Sequence, residues 1–198
     1  MTIVITGWRS AIAEAFRTLL RSAEVTVHGK PMEPNFPIDA QRYLFCQGLL
    51  RPKKYDDQTE AEIKEGIEVN YTSIVRACDL IFAGNEFARV CIIGSESGYR
   101  GSFDENYASS KALIHSYIET KRLTQHQQLV GISPGIIGDC RMTTSRTDVD
   151  NLIRRRDEHP KKRFLEASEV ASMARTLIYF QPYVCNVVIR MHGGLVDG

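Results

Sequence analysis

Very little in this sequence favours a membrane, a nucleic acid or a bound metal. The net charge is only +1 over 198 residues, so no global field draws the chain to a phosphate backbone or an anionic lipid surface. No apolar run approaches the roughly 20 residues of a membrane-spanning helix. The first one, Ile3-Val4-Ile5, stops at Thr6-Gly7. That is too short for the apolar core of a signal peptide, and a cytoplasmic protein is expected. The five cysteines, Cys46, Cys78, Cys91, Cys140 and Cys185, are odd in number and widely spaced, with no CxxC pair and no histidine cluster. They read as buried thiols in a reducing compartment, not as a disulfide framework or a zinc site. His115, His126 and His159 have no ligand spacing, so no metal is expected. Internal repeats and low-complexity segments are absent too. What remains is a chain with 43% hydrophobic residues, of a length that suits one compact domain spanning 1–198.

Short apolar runs alternate with longer helical patterns. Ile3 to Ile5 is β-branched and predicts a strand. Ile12, Ala15, Phe16, Leu19 and Leu20 then recur at three- and four-residue steps, as on a helix. Val25-Thr26-Val27 predicts a second strand, closed by His28-Gly29. Pro31, Pro34 and Pro37 rule out a helix interior or central strand there and predict an extended connector. Tyr43 to Cys46 predicts the next strand. A long helix is expected over 58–81, with Ile63, Ile67, Ile74, Cys78 and Ile81 along one face. Strands at 90–93, 129–132 and 184–189 and helices at 104–123 and 166–180 complete the pattern. Strand alternating with helix predicts parallel strands and right-handed crossovers, hence a Rossmann-like, doubly wound α/β sheet of about six strands with helices on both faces.

Ligands of such sheets bind outside the carboxyl ends of the strands. Thr6-Gly7, Gln47-Gly48, Gly94-Ser95 and Pro134-Gly135 all follow strands at that end, so small and polar residues converge on one crevice. Tyr107 and Lys111 lie four apart at the start of a predicted helix, on one face. A lysine cation beside a phenol favours the phenolate and lowers its pKa from about 10, which suits a general acid or base. Ser95, just past a buried strand, is placed to reach the same crevice and polarise a carbonyl that Tyr107 protonates. Taken alone, YxxxK is a common surface spacing. A serine after a strand commonly bonds only the local backbone, which is also the reading for Ser97.

Together, Ser95 and Tyr107-Ala108-Ser109-Ser110-Lys111 resemble the catalytic block of the short-chain dehydrogenase/reductase family, with serine and tyrosine one residue closer than usual. Other landmarks follow in order. Thr6-Gly7-Trp8-Arg9-Ser10-Ala11-Ile12-Ala13 resembles the TGxxxGIG cofactor turn. Phe45-Cys46-Gln47-Gly48 stands where the family has NNAG. Asn70 matches the asparagine that holds a water linking the lysine to solvent. Ser133-Pro134-Gly135 resembles the PG motif beside the nicotinamide, and His192-Gly193-Gly194 the C-terminal DGG. The resemblance implies hydride transfer between nicotinamide and a carbonyl or alcohol carbon. Tyr107 would be the general acid or base. Lys111 would tune it and hold the ribose, Ser95 would hold the substrate oxygen, and Asn70 would support the proton relay. An ordinary helix-interior amide beside a kink is the plainer reading of Asn70. The implied cofactor contacts are Gly7, Arg9, Ser10, Ala11, Ile12, His28, Lys30, Cys46, Gln47, Gly48, Tyr107, Lys111, Pro134, Gly135, Ile136 and Ile137.

Three departures stand out. Ala11 and Ala13 replace glycines of the cofactor turn, and an alanine forced to positive φ costs on the order of 1 kcal/mol. Only fourteen residues separate His28 from Tyr43, too few for helix, strand and helix, so the edge strand and at least one helix are expected to be missing. His28-Gly29-Lys30 offers no acid for an adenosine 2′-hydroxyl. Arg9 and Lys30 are available to a 2′-phosphate, so NADP is preferred to NAD, although both cations also read as ordinary surface residues. Residues 141–163, at the substrate lid of about 140–165, hold eight basic and four acidic residues. They favour an anionic small-molecule substrate over a nucleic acid, since no interleaved aromatics accompany them. A solvated helix face is the alternative. The competing functions are a non-catalytic dinucleotide-binding or regulatory protein and a nucleotide-sugar modifying enzyme, for whose larger substrate domain the chain leaves no room. A homo-dimer or homo-tetramer is common in the family. Ile74, Ile81, Leu113 and Tyr117 would serve such an interface or the core.

Overall fold

The computed structural model describes residues 2–20, 25–29, 31 and 36–195. Their strands form one six-stranded sheet in the order β2-β1-β3-β4-β5-β6, with every adjacent pair parallel. The strands are β1 (Ile3–Thr6), β2 (Val25–His28), β3 (Arg42–Phe45), β4 (Arg89–Ile93), β5 (Gln128–Pro134) and β6 (Val187–Met191). The helices are α1 (Ala11–Thr18), α2 (Glu60–Ile67), α3 (Ser73–Gly84), α4 (Ser97–Arg100), α5 (Glu105–Thr120), α6 (Arg141–Thr144), α7 (Val149–Glu158) and α8 (Ala167–Phe180). β1, β3 and β5 are buried throughout, as strands covered on both faces must be.

Two apolar cores result, one on each face. Ile3, Ile5, Leu44, Cys91, Val130 and Ile132 pack against α1 and α8. The alternate residues Val4, Tyr43, Phe45, Val90, Ile92 and Leu129 pack against α3 and α5. Ile74 and Ile81 are fully buried in the second core, whereas Leu113 is 49% exposed. The Cys46, Cys78 and Cys91 thiols are buried, and Cys140 and Cys185 are half-buried and free. Among the described residues no helix is long and apolar enough to cross a membrane.

Among the described residues no strand or helix lies between β2 and β3, in line with the predicted loss of the edge strand and a helix. β2 therefore forms the sheet edge and is only half-buried. Several boundaries differ from expectation for local reasons. The long helix starts after a capping box between Thr59 and Glu62, because Gln58 is extended and gives its side-chain amide to Asp104 Oδ1 at 2.9 Å. It is also interrupted by a π turn at Glu68–Thr72. β6 begins at Val187 and not 184. Asn186 takes φ +52 and donates its amide to the Ile118 and Lys121 carbonyls, both at 2.8 Å. α5 stops at Thr120 because Lys121 is extended, which lets Leu123 turn into the second core.

Candidate active site

The strand order reverses between β1 and β3, and the chain leaves both strands at the same end of the sheet. A crevice for a ligand opens at such a switch point. Gly7 forms one wall. It takes φ +62, and a Cβ there would stand 2.5 Å from the Gln47 backbone nitrogen, so only glycine fits. Ser10 then caps α1, its hydroxyl accepting from the Ala13 N–H at 3.2 Å. Ala11 opens the helix, and Ile12 and Ala13 are buried in it. The feared strain at Ala11 is absent: among described non-glycine residues only Lys162 and Asn186 have positive φ, and α1 is regular from its first residue. Arg9 is exposed, its guanidinium over the Trp8 ring at 5.0 Å.

The opposite wall is the segment after β3. Cys46 is buried beside Ser10, and burial pushes its thiol up to about 12. Gln47 is buried too. Its Oε1 accepts from the Thr6 hydroxyl, while its Nε2 is a buried donor without a partner. A Cβ added to Gly48 would stand 3.4 Å from Met142 Cε and 3.9 Å from both Asn70 Oδ1 and Lys111 Nζ. Gly48, Met142, Asn70 and Lys111 therefore border one space. His28 ends β2 with its ring edge-on to Phe36 at 5.4 Å. Lys30 lies outside the described residues.

Asn70 sits in the π turn and is fully buried. Its amide oxygen accepts from the Leu49 N–H and its amide donates to the Leu49 carbonyl, each at 2.8 Å. The side chain thus fixes the segment that follows Gly48, and a π turn is a frequent mark of a functional site. The amide is structural, as the plainer reading has it, and it also borders the crevice.

Asp104, 3% exposed, caps α5. Its Oδ1 accepts from the Tyr107 N–H at 3.0 Å and its Oδ2 from the Arg51 N–H at 2.8 Å. The first turn of α5 is thereby tied to the loop after β3, and Tyr107 is held at its third helical position. Tyr107 is 6% exposed and Lys111 2% exposed. Lys111 Nζ lies 5.7 Å from the centre of the Tyr107 ring and donates to the Ile93 carbonyl at 3.0 Å. Burial lowers the Lys111 pKa to about 8. The expected lowering of the Tyr107 pKa is not found. Burial raises it to about 12, with a hydrogen bond to Ser95 working the other way. Ser95 also accepts from the Ser97 N–H at 3.1 Å, so its turn role and its contact with Tyr107 coexist.

β5 supplies the floor. Ser133 and Pro134 end it, and the Gly135 N–H donates to the Met191 carbonyl at 3.0 Å. Ile136 accepts from the Leu165 N–H at 3.0 Å, and Ile137 is buried. Sequence reasoning missed Glu96, the residue between Ser95 and Ser97. Glu96 is 7% exposed and pairs with Arg190 at 2.7 Å, while the Ser133 hydroxyl donates to it at 2.9 Å. Burial works to raise its pKa, but bonds from Arg190 and Ser133 hold the carboxyl below its ordinary range. The Arg190 guanidinium lies 4.5 Å over Tyr99, whose ring stacks on His115 at 4.5 Å. This network pins the ends of β4, β5 and β6 together. Its one visible signal was a charged residue three positions past the end of a buried strand.

The lid segment carries α6 and α7. Helix α7 has no buried residue. Several of its cations are paired within the segment or just beyond it: Arg154 with Glu158 at 3.7 Å, Arg156 with Asp157 at 2.9 Å, and Arg163 with Glu169 at 2.7 Å.

A doubly wound parallel sheet with its crevice at the strand-order reversal defines a Rossmann-like α/β protein. The solved structures narrow this to the short-chain dehydrogenase/reductase fold. A short-chain dehydrogenase/reductase of the glucose/ribitol dehydrogenase type from Brucella melitensis superimposes with a TM-score of 0.84 at 18% identity, covering 100% of this chain and 97% of its own. A short-chain dehydrogenase family protein from Francisella tularensis gives 0.83 at 15% identity, over 98% and 97% of the two chains. An actinorhodin polyketide ketoreductase variant with NADPH gives 0.81 at 17% identity, over 100% and 97%. These identities speak for the fold. No protein-family model and no curated protein matches the sequence.

Proposed function

We propose that the protein is an NAD(P)-dependent oxidoreductase acting between a carbonyl and an alcohol. The observation that carries this reading is the burial of Tyr107 and Lys111 side by side at the end of β4, with Tyr107 bonded to Ser95. The residues present fit a dinucleotide. Gln47 Nε2 is an unpartnered buried donor beside the Gly7 turn, and the capped start of α1 offers the N–H groups and dipole that attract phosphate. Gly7, Ser10, Ala11 and Ile12 would meet the phosphates, Cys46, Gln47 and Gly48 the ribose side, and Pro134, Gly135, Ile136 and Ile137 the nicotinamide. When bound, the nicotinamide supplies or takes up the hydride.

The chain's own part is to orient the substrate and move one proton. In reduction, Tyr107 gives its Oη proton to the carbonyl oxygen as hydride reaches the carbon, and Ser95 holds that oxygen. A tyrosine with its pKa raised to about 12 keeps its proton at neutral pH, the form that reduction of a carbonyl requires. Lys111 has donors left beyond the Ile93 bond for the ribose and for tuning Tyr107. Asn70 holds the Leu49 segment against them and supports the proton relay. Arg9 has no carboxylate partner among the described residues, and with Lys30 it supports NADP over NAD. Arg141, Arg155 and Lys161 have no ion-pair partner among the described residues, which supports an anionic substrate. Exposed Leu80 and Leu113 on α3 and α5 support a homo-oligomer. Isothermal titration with NADP and NAD tests the reading. Micromolar binding of NADP, lost in Lys111→Ala, is expected. Binding of neither at millimolar concentration would refute it.

A further inference from the structure

We propose a second binding site, for a compact phosphate or carboxylate anion, at the amino-terminal end of the sheet around Arg42 and Arg89. A cavity of about 550 Å³ opens there, between the starts of β3 and β4 and the loops that follow α5 and α8. Arg42 and Arg89 are register partners on adjacent parallel strands, so their side chains leave the same face of the sheet about 4.8 Å apart. Both line the cavity. Two cations so placed repel each other, and neither has a carboxylate partner among the described residues.

Arg42 makes the case strongest. It is 7% exposed, and its Nε and Nη1 are buried donors with no hydrogen-bond partner. Its guanidinium stacks on the Tyr179 ring, 4.5 Å away. Burial, and then the charge of Arg89, lower its pKa, while Tyr179 works the other way. Arg89 spends one N–H on the Ile178 carbonyl at 3.3 Å and has further donors to give. A buried guanidinium with unmet donors beside a second cation is costly unless an anion joins them. Phosphate and carboxylate are the groups whose oxygens match the guanidinium fork. The other walls suit a small polar guest with an apolar flank: His126 stacked on Phe87 at 5.0 Å, and Thr124.

The site is separate from the crevice. Arg89 begins β4 and Ile93 ends it, so four residue steps of roughly 3.3 Å lie between the two ends. The test uses the full chain saturated with NADP, titrated with sodium phosphate and, separately, sodium acetate, against sodium chloride at equal ionic strength. The readouts are the thermal midpoint and the guanidino ¹⁵Nε resonances of Arg42 and Arg89. A saturable response to phosphate, acetate or both, weakened at least tenfold in Arg89→Gln, supports the site, and the preferred salt identifies the anion. The same titration without NADP keeps the result independent of the cofactor reading. A response equal to that of chloride overturns the proposal. So does one unchanged in Arg89→Gln, or one that NADP abolishes, since phosphate is then reading the crevice.

Discussion

The two halves of the strand-end crevice are built to different standards. On the β4–α5 side Tyr107, Lys111 and Asn70 are buried, and bonds to backbone tie the segment down. Lys111 bonds Ile93, Asn70 bonds Leu49 twice, and Asp104 caps the turn that carries Tyr107. Behind them, Glu96 and Arg190 clamp three strand ends. On the β1–β2 side, β2 is a half-exposed edge strand, and Arg9 rests on Trp8 at the surface. The difference separates two demands. Proton transfer needs a group held to within fractions of an ångström and sheltered from water. Under the proposed function an adenosine moiety would add binding energy, and a shorter wall there would lower affinity without displacing the reacting atoms.

The comparison breaks most visibly at Tyr107. Replacing it with Phe keeps the ring and removes the proton donor, so turnover of a reducible carbonyl should fall by about 10²- to 10⁴-fold, followed as NADPH absorbance, with cofactor affinity little changed. Equal turnover would move the chemistry elsewhere.

Next in size is Asn70→Ala. It leaves the Leu49 N–H and carbonyl without partners, and each orphaned group costs about 1–3 kcal/mol. The urea midpoint should drop by a matching amount, with loss of activity. A midpoint within error of the parent means that water replaces the amide freely.

A pH series sharpens the same half. The Lys111 pKa in the folded chain is about 8, below the ordinary 10.5. Below pH 8 the folded state therefore bears the full cost of the buried charge. Between about 8 and 10.5 it releases its proton before the unfolded chain does, so the parent should gain stability relative to Lys111→Met across that window. A flat difference between the two would show that Lys111 titrates as if in water.

The smallest effect is expected at Ala11. Because α1 is already regular there, Ala11→Gly should change the NADP dissociation constant by less than about threefold and cost under about 1 kcal/mol. A large gain in affinity would show that the methyl obstructs the phosphates after all.

Much of the fold was legible because burial writes itself into composition. β1 and β4 are rich in β-branched residues, β5 carries the apolar stretch Leu129 to Ile132, and α8 repeats its apolar residues at helical spacing. Helix α7 was not legible: seven of its ten residues, VDNLIRRRDE, are polar or charged and none is buried, so the short apolar set Val149, Leu152 and Ile153 marks no core-facing helix. The start of β6 was hidden by Asn186, whose turn depends on carbonyls 65 and 68 residues away. In the site, Ser95, Tyr107 and Lys111 showed through local spacing. Glu96 and Arg190 meet across 94 residues, and Met142 reaches Gly48 from the lid, so neither contact leaves a local pattern. The Tyr107 pKa was misjudged for the same reason: its burial is a tertiary fact, and burial outweighs the hydrogen bond with Ser95.

The π turn at Glu68–Thr72 also limits how this chain can change. An α-helix advances about 100° per residue, and the wide turn sets the phase between its two arms. Ile74, Ala77, Cys78 and Ile81 are fully buried on the arm that follows. Removing one residue from the turn would close it into regular helix and swing that whole stripe about a quarter turn out of the sheet. Asn70 would leave Leu49 in the same movement. Point substitutions here are local events, but a change of length is a change of gearing, so drift in this helix is confined to replacement.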